Sequence, residues 1–178
     1  MHSFNILAAS LAIVPSIFAQ STVPAASATL FNGFYTITSI GDGTILALES
    51  SNGVLSLGDP TTKNSTWYIN SGPDGHAFIA NVRQGGVLTG VKAKNEWNPY
   101  ESQVQVAHVA GDDDGRRQQA WALNSFDDGT FEIINADFDQ LLDIRGGVGL
   151  GPEVILWTRN EPPSGNQRWE ISEFSLTT

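Results

Sequence analysis

Three glycines open three similarly patterned stretches of this chain. Gly33, Gly75 and Gly129 each precede apolar residues two and four positions on: Tyr35/Ile37, Ala77/Ile79 and Phe131/Ile133. Thirteen residues after each glycine stands a leucine, at Leu46, Leu88 and Leu142. Each unit closes on a tryptophan followed two residues later by an aliphatic: Trp67/Ile69, Trp121/Leu123 and Trp169/Ile171. The intervals from leucine to tryptophan are 21, 33 and 27 residues, so a common frame carries surface loops of different length, longest in the middle unit. Self-similarity of this kind means one supersecondary unit repeated, and no unit can bury its apolar face alone.

The units read as strands. Tyr35/Ile37, Val104/Val106 and Phe131/Ile133 alternate with period two, and no helical periodicity of useful length appears after residue 29. Turn signals separate the segments: Gly-Asp-Gly at 41–43, Ser-Asn-Gly at 51–53, Pro-Asp-Gly at 73–75 and Asp-Asp-Gly at 127–129. Three units sharing one core can close into a barrel, which removes the strand edges that otherwise aggregate. A β-sandwich and a three-bladed propeller are the rivals. Blades are usually more numerous and equal in size, and sandwiches show no threefold repeat. The expected fold is therefore all-β: a β-trefoil of three pseudo-threefold repeats, a six-stranded barrel with a hairpin cap. Its domain spans 31–178, with repeats near 31–72, 73–126 and 127–174.

The first residues have a different character. Ile6 to Val14 is an apolar run of signal-peptide length, interrupted by Pro15 and Ser16, and Ile17-Phe-Ala19 before Gln20 offers a small residue for cleavage. The run falls well short of the ~20 residues that a spanning helix needs. Residues 1–19 are expected to be a signal peptide, 20–30 a linker, and the mature protein secreted and extracellular.

The chain has no cysteine, so thiol catalysis, Cys-ligated zinc and iron–sulfur chemistry are excluded. A domain of roughly 150 residues buries about 70% of its unfolded surface and can fold without disulfides. Acidic residues outnumber basic ones by 19 to 9, for a net charge of −10. Such a surface repels phosphate backbones and anionic membranes alike. Neither nucleic acid nor membrane insertion is expected.

The segment Leu142-Asp143-Ile144, then Val154 to Trp157, then Asn166-Gln167-Arg168-Trp169 resembles the ricin B-type (QxW) lectin repeat. Gln119-Ala-Trp121 is a second QxW triplet and Ser65-Thr-Trp67 a degenerate third. The resemblance extends over about residues 31 to 174. It implies a β-trefoil that binds carbohydrate in shallow surface pockets, up to one per repeat, and a glycan or glycoconjugate as partner with no cofactor.

A sugar needs an aromatic face against its C–H face and fixed polar groups for its hydroxyls. By the resemblance, the third repeat supplies Asp143, Trp157, Asn166 and Gln167. It departs from the family at Ile155, where ricin-like repeats often carry Gln. Gln167 also admits a structural reading, favoured here, in which its amide braces the repeat's own backbone; Trp169 is expected in the core. Asp143 aligns with Ala47 and Thr89, and Trp157 with Gly58 and Ala107, so the frame requires neither. One functional site, in the third repeat, is expected, with substitutions of Asp143 and Trp157 behaving as surface changes. Asn64-Ser-Thr66 is a glycosylation sequon at the position of Asn166.

No HExxH, His–Cys zinc pattern or GxSxG is present, and no catalytic residue or metal is expected. His108 continues the Val104/Val106 alternation and reads as a strand residue. Asp112-Asp-Asp114-Gly115 has contiguous acids and no EF-hand glutamate, so it reads as a solvated loop. The insertion from Lys92 to Tyr100, with Trp97, is a possible second contact surface. It also carries the alternative function, since β-trefoils serve as protease inhibitors through an extended loop.

Overall fold

The computed structural model describes residues 30, 32–48, 55–58, 63–92, 101–146 and 153–175. The proposed leader, nearly all of the linker, the 51–53 turn and residues 93–100 of the insertion lie outside the described residues.

Four strands fall in each repeat. The first holds β1 (Gly33–Ser39), β2 (Ile45–Leu48), β3 (Leu55–Gly58) and β4 (Trp67–Ser71). The second holds β5 (His76–Asn81), β6 (Val87–Val91), β7 (Glu101–Ala107) and β8 (Trp121–Ser125). The third holds β9 (Phe131–Asn135), β10 (Gln140–Ile144), β11 (Val154–Trp157) and β12 (Trp169–Glu173). The outer strands of each repeat pair in a closed antiparallel ring, β1–β4–β5–β8–β9–β12 and back to β1. The inner strands form the hairpins β2–β3, β6–β7 and β10–β11, with β11 also pairing β7. This is the expected β-trefoil: a six-stranded barrel and three hairpins.

The repeat markers are its core. Tyr35, Ile37, Ala77, Ile79, Phe131 and Ile133 are buried, and Leu46, Leu88, Leu142 and the three closing tryptophans have no exposed surface. A buried indole N–H must find an acceptor. Each tryptophan finds the same one: Nε1 of Trp67, Trp121 and Trp169 donates to the carbonyl of Leu46, Leu88 and Leu142 at 2.9, 3.0 and 3.1 Å. The two sequence marks of each repeat are thus one hydrogen-bonded pair.

The marker glycines have two origins. Gly75 and Gly129 close turns at φ of 83° and 82°, a left-handed conformation that disfavours any side chain. Gly33 instead lies inside β1 and carries no positive φ.

Two expectations are corrected. His108 is not in a strand: β7 stops at Ala107, because the His108 carbonyl is taken by the Gln119 side chain at 2.7 Å. The 112–118 segment is a short helix, α1 (Asp113–Gln118), rather than a loop. Asp112 caps it, accepting from the Gly115 amide at 2.7 Å. Asp113 and Asp114 lie in its first turn and Arg116 and Arg117 in its last, the arrangement a helix dipole favours. Among the described residues no helix is long and apolar enough to cross a membrane.

Candidate functional site

Strand alternation sets the first residue of the site. Leu142 and Ile144 of β10 enter the core, so Leu141 and Asp143 belong to the opposite face. Asp143 sits opposite Ile155 of β11, and Leu141 opposite Trp157. Trp157 in turn sits opposite Glu101, the first residue of β7. A pocket of ≈ 310 Å³ opens along this seam, lined by Asp143, Arg145, Gly146, Ile155, Trp157, Asn160, Asn166 and Glu101. It joins the third repeat to the second.

The 3-10 turn Gly165–Gln167 carries the next two predicted residues and separates their roles. Asn166 faces the pocket and donates from Nδ2 to Asp143 Oδ1 at 2.8 Å. Gln167 is fully buried and spans its own repeat: Nε2 donates to the Thr158 carbonyl and Oε1 accepts from the Asn160 amide, both at 2.8 Å. Gln119 does the same in the second repeat, with the His108 carbonyl at 2.7 Å and the Ala110 amide at 2.8 Å. A device present in both repeats belongs to the frame. The pocket therefore gathers Asp143, Trp157 and Asn166, while Gln167 stands behind it and positions Asn160.

Asp143 is not a surface residue. It is 3% exposed, and its Oδ2 has no hydrogen-bond partner among the described residues. Burial pushes its carboxyl up to about 6, with the neighbouring amides of Asn166 and Gln167 pulling the other way. The expectation that substitution there would act as a surface change does not hold. The turn carrying Asn166 covers a position that spacing alone leaves open.

The far wall of the pocket is ionic. Both Arg145 terminal nitrogens bond the two oxygens of Glu101, with Nη1 at 3.0 Å from Oε2. Its Nε and Nη2 meet Glu153 at 2.7 and 3.3 Å. Burial works against the guanidinium charge, but Glu101 and then Glu153 more than offset it and hold its proton above the ordinary arginine value. Glu101, Arg145 and Asn160 escaped the sequence reading. Arg145 had one signal: it lies two residues past Asp143, just beyond the end of β10, where continued alternation points to the same side. Glu101 had none, because it follows the insertion in another repeat.

The equivalent positions elsewhere are spent or empty. Ala47 pairs with Ser56, and Ile45 with Gly58, in the first repeat. Asn64 there accepts at Oδ1 from Arg83 Nη1 at 2.9 Å. In the second repeat Thr89 Oγ1 donates to the Val87 carbonyl at 2.9 Å and receives Gln119 Nε2 at 3.2 Å. Ala107 stands where Trp157 does, opposite Val87.

Comparison with known proteins bears on this arrangement. The model of the family described as ricin-type beta-trefoil lectin domain-like matches residues 63–157, more than half of the chain. No curated protein sequence matches it. Among solved structures, the designed threefold-symmetric protein ThreeFoil has a TM-score of 0.66 at 17% identity, over 80% of this chain and 100% of that one. The Macrolepiota procera ricin B-like lectin, solved in complex with lactose, has a TM-score of 0.63 at 17% identity, over 83% and 100%. The Rhizoctonia solani agglutinin has a TM-score of 0.65 at 20% identity, over 84% and 100%. At such low identities the TM-scores show a shared fold alone.

Proposed function

The chain belongs to the ricin-type β-trefoil lectin domain-like family, and we propose that it is a secreted, non-enzymatic carbohydrate-binding protein with one functional sugar site, in the third repeat. The observation that carries this reading is a coincidence of position. The pocket opens where Asp143 and Trp157 stand together, at places held by Ala47 and Gly58 or by Thr89 and Ala107 in the other repeats.

The chemistry suits a pyranose. Trp157 lines one wall and offers a ring for the sugar's C–H face. Asp143 accepts from hydroxyls, and the Asn160 and Asn166 carboxamides both donate and accept. Asp143 and Glu101 are two carboxylates in one pocket, which invites a hydrolytic reading. Against it, both Glu101 oxygens are bonded to Arg145, leaving that carboxylate placed as a wall rather than as a nucleophile or base.

The apolar run from Ile6 to Val14 and the small residue before Gln20 support secretion, and the sequon at Asn64 supports glycosylation in a eukaryotic secretory host. A glycan array probed with the protein recovered from culture medium tests the central claim. Binding to a defined sugar set is expected, with an amino terminus near Gln20 and a mass loss on deglycosidase treatment. A single shallow site gains no avidity within one chain, so monomer should fail to crosslink cells. Agglutination by proven monomer would overturn the single-site count, and a blank array the sugar-binding reading.

A further inference from the structure

We propose that the pocket selects uncharged and amino sugars and rejects carboxylate-bearing ones, with Glu101 as the specificity-determining residue; the inference rests on the pocket being the sugar site.

An arginine in a sugar pocket would ordinarily welcome an acidic sugar, since its planar fork matches a carboxylate bidentately. Arg145 lines this pocket, but both edges of its fork are already taken by the chain itself. One edge, Nη1 and Nη2, is hydrogen-bonded to Glu101. At the other, Nη2 donates to Glu153 at 3.3 Å, and the Glu153 carboxylate lies 2.7 Å from a buried Nε that makes no hydrogen bond among the described residues. The Glu101 side chain is 18% exposed and that of Arg145 41%, so the carboxylate end of this contact is the better shielded from solvent. A ligand carboxylate would have to displace a covalently tethered one.

The charges add to the same effect. Glu101 and Glu153 set two carboxylates on one guanidinium, and Asp143, which lines the same pocket, adds a third with a buried oxygen that has no partner among the described residues. Above the titration of Asp143 the site is net negative. A uronic or sialic acid meets like charge there, whereas a free amine meets unlike charge; neutral sugars pay neither. Repulsion built against a competitor is a common source of specificity. Glu101 belongs to the second repeat, so one repeat discriminates for the site of the next.

The test is a titration panel of methyl pyranosides in galacto, gluco and manno configuration, each as neutral hexose, uronic acid and free amino sugar, at about pH 7.5. For whichever configuration binds, the uronate should be at least about tenfold weaker than the neutral sugar and the amine at least equal to it. The gap should narrow with added salt, as screened charge requires. Glu101→Gln with Glu153→Gln releases the guanidinium, and the ratio of uronate to neutral affinity should rise about tenfold. Glu153→Gln alone, at a half-exposed residue, should move that ratio the same way by less, should the double variant not fold. A wild-type uronate within about twofold of its neutral partner, or a ratio unmoved in the folded variants, overturns the selectivity while leaving the site standing. Failure of every sugar to bind overturns the site reading first and this inference with it.

Discussion

Trp169 Nε1 donates to the Leu142 carbonyl at 3.1 Å, one residue before Asp143, so the third repeat's core anchor and its candidate sugar ligand share a stretch of backbone. The repeat holds Leu142 inward and Asp143 outward by strand alternation, and the indole fixes the peptide between them. The same pair fixes Ala47 and Thr89 in the other repeats, where the outward position offers no carboxylate. Site and scaffold are therefore separable by mutation.

Removing the anchor should threaten the fold. Trp169→Ala leaves a large cavity and an unpaired buried carbonyl, and should cost about 3–5 kcal/mol. Trp67→Ala and Trp121→Ala should cost the same, because each occupies the same environment. Denaturant melts of the three variants check this; a difference of several kcal/mol among them would contradict an equivalent core.

The glutamine brace gives a finer comparison. Gln119→Ala and Gln167→Ala each strand one backbone amide and one carbonyl, for about 1–3 kcal/mol. The stability losses should match, yet Gln167→Ala alone should weaken glycan binding, since it alone positions Asn160 at the pocket. Equal loss of binding in both variants would show that the effect is global softening.

What the sequence revealed and what it hid divide along one line. Residues that recur in all repeats, the leucines and tryptophans above, were legible because threefold symmetry samples the same environment three times. The alignment of Asp143 with Ala47 and Thr89 matched the strand register for the same reason. Glu101 has no such counterpart, since it enters the pocket from the next repeat past the longest insertion. The burial of Asp143 was hidden too. It comes from the turn bearing Asn166, whose distance along the chain from β10 varies between repeats. Gly33 matched the spacing for a reason of its own, as part of a strand rather than a turn.

Trp157→Ala should lower affinity for an array-identified glycan by about tenfold or more, a factor worth ~1.4 kcal/mol, with little change in melting temperature. Trp157 is half-buried at the end of β11, and Gly58 and Ala107 show that the frame closes without it. Asn166→Ala should also weaken binding, through loss of a ligand contact and of its grip on Asp143 Oδ1. Isothermal titration of the folded variants decides; full affinity in Trp157→Ala would remove the aromatic platform from the site.

Asp143 makes the sharpest prediction, because stability and binding should respond to pH in opposite senses. Its carboxyl is pushed up to about 6 by burial, above the ordinary value of 3.8. A folded-state value raised in this way means that the folded protein holds the proton more tightly than the unfolded chain. The stability it contributes is complete below about 3.8 and is lost as pH rises through about 6. Ligand hydroxyls, however, need the ionised carboxylate as acceptor, so glycan affinity should rise over the same interval. Asp143→Asn imitates the protonated form at every pH. It should raise the melting temperature at pH 7.5, leave it nearly unchanged at pH 4, and abolish the rise of affinity between pH 5 and pH 7, with binding at pH 7.5 about tenfold weaker or worse. Calorimetric melts and glycan titrations of both proteins at those pH values supply the measurement. An Asp143→Asn protein that is less stable than wild type at pH 7.5 would show the carboxylate to be a structural partner, and undiminished binding would remove it from the pocket.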